Sequence, residues 1–352
     1  MKSGPVYSIV APVYNEEGNI FPLFDRISAV MESLGEPWEL ILVNDGSRDN
    51  SLQLMRELQA RAPQVRVLSF SRNFGHQIAV TAGLDYADGQ AIILIDADLQ
   101  DPPEIIPQMI ERWKEGYDVV YAVRERREGE SWFKLQTARL FYRLVYRIAE
   151  IEIPLDTGDF RLMDRRVVIA LRHMPEHNPY IRGMTSWVGF RQTGVTYVRE
   201  QRRWGETHYP LGKMFRFALD AITGFSFFPL QVAMHVSLAL AVIAVLAIPV
   251  VALLRLATGQ LIFEGQATTL IVLLLLSSFQ LFFFYIMGQY IARIYDEVRR
   301  RPLYVIAEAY GFEPARSQES AAAPRHGVMP LNKKAQGNDV ANEVLEKVTG
   351  ED

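Results

Sequence analysis

Cysteine is absent from all 352 residues. That excludes disulfides and thiolate metal sites, and it fits a reducing, cytoplasmic setting. A phosphate loop is missing too. Gly205 and Gly212-Lys213 are too widely separated for one, Met214 stands where a Ser or Thr is required, and no Gly-x-Gly-x-x-Gly follows the first predicted strand. A diphosphate bound by this chain must therefore be held by a metal ion and basic side chains rather than a glycine-rich cradle. Charge of one sign is not in excess. The formal net charge is -4 and the basic residues are clustered rather than dominant, so no nucleic-acid partner is expected. The N-terminal apolar stretch is short and broken by Pro12, which predicts no signal peptide. No internal repeat is visible.

Two stretches lack Asp, Glu, Lys and Arg altogether: Ala221 to Leu254 and Gly265 to Ala292. Each exceeds the roughly 20 residues that cross a bilayer. Pro229 and Pro249, in the first, are tolerated in membrane helices whose neighbours satisfy the freed backbone groups. The pattern predicts a transmembrane hairpin, residues 229–257 and 266–294. Its turn contains Glu264 and no Lys or Arg, whereas Arg202, Arg203, Lys213 and Arg216 precede the pair and Arg293, Arg299, Arg300 and Arg301 follow it. By the positive-inside rule, both flanks are cytoplasmic. A homo-oligomer is compatible with so small a hairpin.

What the chain does contain is organised around residues 91–104, where Ala91 to Ile95 runs into Asp96-Ala97-Asp98-Leu99-Gln100-Asp101-Pro102-Pro103-Glu104. A short apolar run bounded in this way suits a parallel strand covered on both faces, and Pro102-Pro103 can open a helix but cannot continue the strand. Asp96 and Asp98, two apart at a strand end, point the same way. A hard divalent cation such as Mg2+ or Mn2+ would relieve their repulsion through oxygen ligands. Upstream, apolar strands at 7–13, 39–43 and 65–70 alternate with helical patterns, and a helix at 103–114 and a fifth strand at 118–123 follow. Such alternation predicts an α/β domain over residues 1–210 with a mostly parallel sheet, its ligands at the carboxyl ends of the strands. Tyr14, Asp45, Arg72, Asp96, Asp98 and Arg124 fall at those ends.

Residues 131–150 interleave Phe133, Leu140, Phe141, Leu144 and Val145 with Lys134, Arg139, Arg143 and Arg147. They read either as an amphipathic helix in the membrane interface or as a core-facing helix with a solvated basic side, and the nearby hairpin favours the interface. A second interfacial segment, 211–228, leads into the first span. A basic cytoplasmic segment follows at 295–312. The tail, 313–352, rich in Ala, Gln, Asn and charge, is expected to be flexible.

Pro12-Val13-Tyr14-Asn15-Glu16-Glu17, Asn44-Asp45-Gly46-Ser47, Asp96-Ala97-Asp98 and Gln100-Asp101-Pro102-Pro103-Glu104 occur here in order. In this combination the chain resembles family 2 glycosyltransferases with the GT-A fold. Asp156-Thr157-Gly158-Asp159-Phe160-Arg161, Gly205-Glu206-Thr207 and the hairpin narrow the resemblance to polyprenyl-phosphate sugar transferases. That group includes the dolichyl-phosphate mannose synthases and, closer in layout, the bactoprenol glucosyltransferases. The resemblance covers about residues 5 to 310.

It implies a metal-dependent, inverting hexosyltransferase that moves a monosaccharide, glucose from UDP-glucose by the nearest likeness, onto polyprenyl phosphate at the cytoplasmic membrane face. Pro12, Tyr14, Glu16 and Asp45 would line the uridine pocket, and Gln100 would lie near the sugar. Asp96 and Asp98 would hold the metal against the diphosphate, which Arg202 would approach. Asp159 is the implied catalytic carboxylate, either a general base or a group that orients the acceptor. Arg124, Lys134 and Arg139 are available for the acceptor phosphate or, equally, for anionic headgroups. One departure matters. Glu200 stands where processive synthases carry the first residue of Gln-x-x-Arg-Trp, which argues against polymer synthesis. A reading of another class, a nucleotide-sensing scaffold or transport partner for lipid-linked sugars, leaves Asp159 without a purpose.

Overall fold

A computed structural model describes residues 4–124, 157–174, 176–198, 228–258, 266–312 and 327–328. The chain divides into two compact units, one of residues 1–126, 155–206 and 301–352, the other of residues 127–154 and 207–300.

The first unit is an α/β sheet domain. Its strands are β1 (Tyr7–Val13), β2 (Trp38–Asn44), β3 (Val65–Phe70), β4 (Ala91–Leu94), β5 (Val119–Arg124), β6 (Thr157–Asp164), β7 (Gln192–Tyr197), β8 (Tyr304–Tyr310) and β9 (Gly327–Val328). They lie in the order β7-β5-β6-β4-β1-β2-β3-β8-β9. β4, β1, β2 and β3 run parallel, as the predicted alternation requires, while β6 and β8 run antiparallel to their neighbours β4, β5 and β3. Every residue of β1 and β4 is buried, so helices cover both faces of the sheet centre.

Helix α1 (Ile20–Leu34) turns Ile20, Leu23, Ile27 and Met31 inward at helical spacing and stops at Gly35, whose φ of 69° is left-handed. Each such aliphatic side chain contributes roughly 1.5–3 kcal/mol on burial. Helix α2 (Ser51–Arg61) buries Met55 and Leu58. Helix α3 (His76–Tyr86) lies hard against β1. A Cβ on Gly83 would come within 2.1 Å of Val10 Cγ1, so only glycine permits this approach. A 3-10 turn at Pro103–Ile105 precedes α4 (Ile106–Lys114).

Two strands escape the periodic reading. β6 inserts antiparallel between β4 and β5 with Leu94 opposite Arg161, so two residues further on Asp159 comes opposite Asp96. β8 is part of the predicted basic segment 295–312, yet it docks on the edge of β3. Tyr304 is fully buried, stacks on Phe70 at 5.2 Å and donates from its hydroxyl to Asp85 Oδ2 at 2.9 Å. Inward Tyr304 and Ile306 flank outward Val305, a strand signal short enough to be overlooked beside so much charge.

The second unit contains the helices Phe228–Thr258 and Gln266–Arg299, of 31 and 34 residues, which contact one another. Pro249 lies inside the first. They overlap the two charge-free runs. Among the described residues, no helix is long and apolar enough to cross a membrane. The predicted segment 131–150, the predicted segment 211–228 apart from Phe228, and the tail 313–352 apart from Gly327–Val328 lie outside the described residues.

Candidate active site at the strand ends

The carboxyl ends of β1, β2, β3 and β4, with the start of β6, gather the polar side chains of the first unit. At β1 the chain turns through Asn15, whose φ is 55°. Its backbone N–H donates to Ser47 Oγ at 3.0 Å and its side-chain oxygen accepts from Arg48 N–H at 2.8 Å. Glu16 N–H donates to Ser51 Oγ at 3.0 Å. The two predicted motifs, 12–17 and 44–47, thus brace each other. Pro12 is buried and Tyr14 is exposed beside them.

Asp45, at the end of β2, is buried. Its carboxylate accepts from Phe74 N–H at 2.7 Å and from Gly75 N–H at 3.0 Å. Burial pushes its pKa up, against the pull of those two N–H groups. The loop after β3 is drawn so close that a Cβ on Gly46 would lie 2.5 Å from the Arg72 carbonyl carbon, and Gly46 has a φ of 65°. Arg72 stacks over Phe74 at 4.1 Å.

On the far side stands Asp159, also buried. His76 Nε2 lies 3.0 Å from its Oδ2, Gln77 Nε2 donates to the same oxygen at 3.0 Å, and Arg182 Nε donates to Oδ1 at 2.6 Å. Burial opposes its charge, but the His76 hydrogen bond and the Arg182 guanidinium prevail and hold it well below the usual carboxylate range. Packing likewise opposes a charge on His76, yet Asp159 and neighbouring Asp96 raise its pKa to about 9. Gln77 also accepts from Ile181 N–H at 3.1 Å, which ties α3 to the helix Ile181–Trp187 that carries Arg182.

Asp96 lies between these flanks. Its Oδ1 is buried without a hydrogen-bond partner, 3.7 Å from His76 Nε2. Burial lifts its pKa to about 7, and Asp159, Asp101 and Asp98 add to the rise against the charge of His76. Asp98 Oδ1 accepts from Gln100 N–H at 3.1 Å and shapes the turn through Leu99, whose φ is 59°. Among the described residues, no group of three or more His, Asp or Glu side chains could hold a metal ion. An orphaned buried oxygen on Asp96 and a second carboxylate two residues on nevertheless fit a hard cation that takes its other ligands from a diphosphate and water.

A scan of protein families matches residues 8–172 to glycosyl transferase family 2. An uncharacterized glycosyltransferase of Bacillus subtilis (strain 168), YkcC, is 51% identical over 310 residues, 88% of this chain and 96% of that one. The SfII prophage-derived bactoprenol glucosyl transferase of Shigella flexneri is 39% identical over 307 residues, 87% of this chain and 99% of that one. The chain belongs to glycosyl transferase family 2. Among solved structures, glucosyl-3-phosphoglycerate synthase from Mycobacterium tuberculosis, in complex with Mn2+, UDP and phosphoglyceric acid, aligns at 22% identity. Its TM-score is 0.46, over 63% of this chain and 78% of that one.

In this family 2 glycosyltransferase the strand ends bring together Pro12, Tyr14, Glu16, Asp45, Asp96, Asp98, Gln100 and Asp159. Arg124 approaches them from β5: its Nε donates to Tyr197 Oη at 3.2 Å, Tyr197 donates to Asp101, and its guanidinium lies against Gly158, next to Asp159. Lys134, Arg139 and Arg202 lie outside the described residues. His76, Gln77 and Arg182 were not anticipated. The first two had a signal, since the first turn of a helix that follows a strand end in such a sheet faces the ligand crevice. Arg182 had none.

Proposed function

We propose that this glycosyltransferase moves a glucosyl group from UDP-glucose to polyprenyl phosphate, undecaprenyl phosphate in particular, at the cytoplasmic face of a membrane, with inversion at the anomeric carbon. The observation that carries the reading is the 39% identity to a bactoprenol glucosyl transferase over 99% of that protein's length. Uridine then lies among Pro12, Tyr14, Glu16 and Asp45, the sugar near Gln100, and Arg202 beside the diphosphate. Asp96 and Asp98 would hold Mg2+ or Mn2+, whose charge would stabilise the departing diphosphate.

The acceptor's phosphate oxygen is ionised near neutral pH, so it attacks the anomeric carbon without surrendering a proton. As the new carbon–oxygen bond forms, the bond to the diphosphate breaks and UDP leaves with its electron pair. Asp159 suits this course better than proton abstraction. Three donors occupy it, and its depressed pKa leaves it a weak base. It acts as a fixed negative charge that orients His76 and Arg182 at the reacting centre. The charge-free runs 221–254 and 265–292, flanked by arginine and lysine, support a membrane hairpin with both ends cytoplasmic.

The test is transfer of radiolabel from a panel of sugar nucleotides to undecaprenyl phosphate by the full-length protein in detergent, with Mg2+ or Mn2+ and with chelator. Labelled lipid from UDP-glucose, lost with chelator and in Asp96→Ala, is the expected result. Metal-dependent uridine nucleotide binding with no labelled lipid from any donor would replace this reading with a nucleotide-sensing scaffold.

A further inference from the structure

We propose that Arg182, paired with Arg124, is the recognition site for the acceptor's phosphate group. The proposal rests on the transferase reading above and assigns a substrate contact to a residue otherwise seen only as a partner of Asp159. Three guanidiniums converge on one short piece of backbone: buried Arg161, whose Nη2 donates to the Gly158 carbonyl at 3.1 Å, and the more accessible Arg182 and Arg124. Arg182 Nη1 donates to the Thr157 carbonyl at 3.1 Å. Arg124 lies along the next residue, where a Cβ on Gly158 would sit 2.8 Å from its Nη2, 3.5 Å from its Cζ and 3.7 Å from its Nε. The pairing of Val123 with Thr157 sets Arg124 at this spot.

Like charges brought this close oppose each other: burial and, more weakly, Arg182 pull down the pKa of Arg124, although Tyr197 and Asp101 outweigh them. Neighbouring cations are held together when an anion joins them. Each is anchored through its Nε, Arg182 on Asp159 and Arg124 on Tyr197, which fixes the planar fork before a ligand arrives. Arg182 keeps about a third of its side-chain surface exposed. A phosphate bridging the two would stand beside Asp159, which Asp96 faces across the strand ends. The attacking oxygen would therefore meet the sugar of a donor held at Asp96 and Asp98.

Gly158 offers a substitution that removes no charge. The methyl of Gly158→Ala would displace the flexible end of Arg124 and leave the backbone of β6 in place. The experiment compares binding of undecaprenyl phosphate and of neutral undecaprenol to the full-length protein in detergent, alongside steady-state transfer. Wild type, Gly158→Ala, Arg182→Gln and Arg182→Lys are measured after their thermal midpoints have been checked.

The expected result is that wild type prefers the phosphate, and that Gly158→Ala and Arg182→Gln each weaken phosphate binding roughly tenfold to hundredfold. Undecaprenol binding and KM for UDP-glucose should stay within about twofold, with Arg182→Lys intermediate because it keeps the charge and loses the fork. Variants that retain the preference for phosphate overturn the proposal, even if Arg182→Gln lowers kcat, because Arg182 would then serve Asp159 alone. A wild type that does not distinguish phosphate from alcohol overturns it as well. Selective phosphate binding by a wild type that transfers no sugar would instead defeat the transferase reading and leave the anion site standing.

Discussion

Two buried carboxylates flank the strand-end crevice, and they are held in opposite ways. Asp45 is gripped by main-chain N–H groups of Phe74 and Gly75, whereas Asp159 is gripped by the side chains of His76, Gln77 and Arg182. The first arrangement is insensitive to the identity of the residues that supply it, since any non-proline backbone can donate. The second can be dismantled one side chain at a time. A nucleotide pocket requires little beyond shape and fixed acceptors, while a reacting centre needs charge placed where charge develops. The contrast supports a donor-holding role for the Asp45 side and a chemical role for the Asp159 side.

The largest effect expected from breaking this contrast is at Asp159. Asp159→Asn keeps the shape but leaves His76 and Arg182 without their shared counter-charge. We expect transfer to fall about a hundredfold to a thousandfold, the scale seen when a preorganised charge partner is removed, with KM for UDP-glucose little changed. Steady-state kinetics on the lipid acceptor decide it. A drop confined to the donor KM would show that Asp159 belongs to the nucleotide side. At Asp45 the expectation is reversed. Asp45→Ala leaves two partly buried N–H groups unpaired, at a cost of at most about 1–3 kcal/mol each to the loop after β3. UDP binding should weaken roughly tenfold while kcat at saturating donor stays near wild type; equal losses in kcat for both aspartates would erase the distinction.

The same contrast explains what the amino-acid order reveals. Asn44-Asp45-Gly46-Ser47 is legible because its structure is local: a strand end, a left-handed glycine and a helix start within a few residues. Asp96-Ala97-Asp98 is legible for the same reason. The central parallel strands follow from their apolar runs. Asp159 could be named only through its family resemblance, and its pairing with His76, Gln77 and Arg182 not at all, because His76 lies 83 residues from it and Arg182 another 23 beyond it. Side-chain networks closed over such distances leave no periodicity to detect. β6 is hidden likewise. Its Gly158 and Asp159 suit a turn as well as a strand, and its direction is set by what β4 and β5 leave between them.

A third carboxylate, the half-buried Asp85, carries the smallest expected effect. Asp85 on α3 accepts from the Tyr304 hydroxyl at 2.9 Å, so like Asp159 it relies on a side chain from a distant segment, here β8. It differs in having no ion-pair partner among the described residues: Arg172 is near, but donates to the Leu84 and Ala87 carbonyls rather than to Asp85. Burial therefore lifts its pKa from 3.8 to about 6, with Tyr304 and Arg172 resisting only in part. The sign follows from linkage. Between about pH 4 and pH 6 the folded chain keeps a proton that the unfolded chain has released, so stability falls as pH rises through that window and is level above it. The full swing for a shift of about two units is roughly 3 kcal/mol. Asp85→Asn, which is neutral throughout, should flatten the thermal midpoint of the full-length protein across that range while leaving transfer kinetics intact. An unchanged slope would mean that Asp85 is solvated enough to ionise freely, and that β8 is held by the stacking of Tyr304 on Phe70 rather than by its hydroxyl.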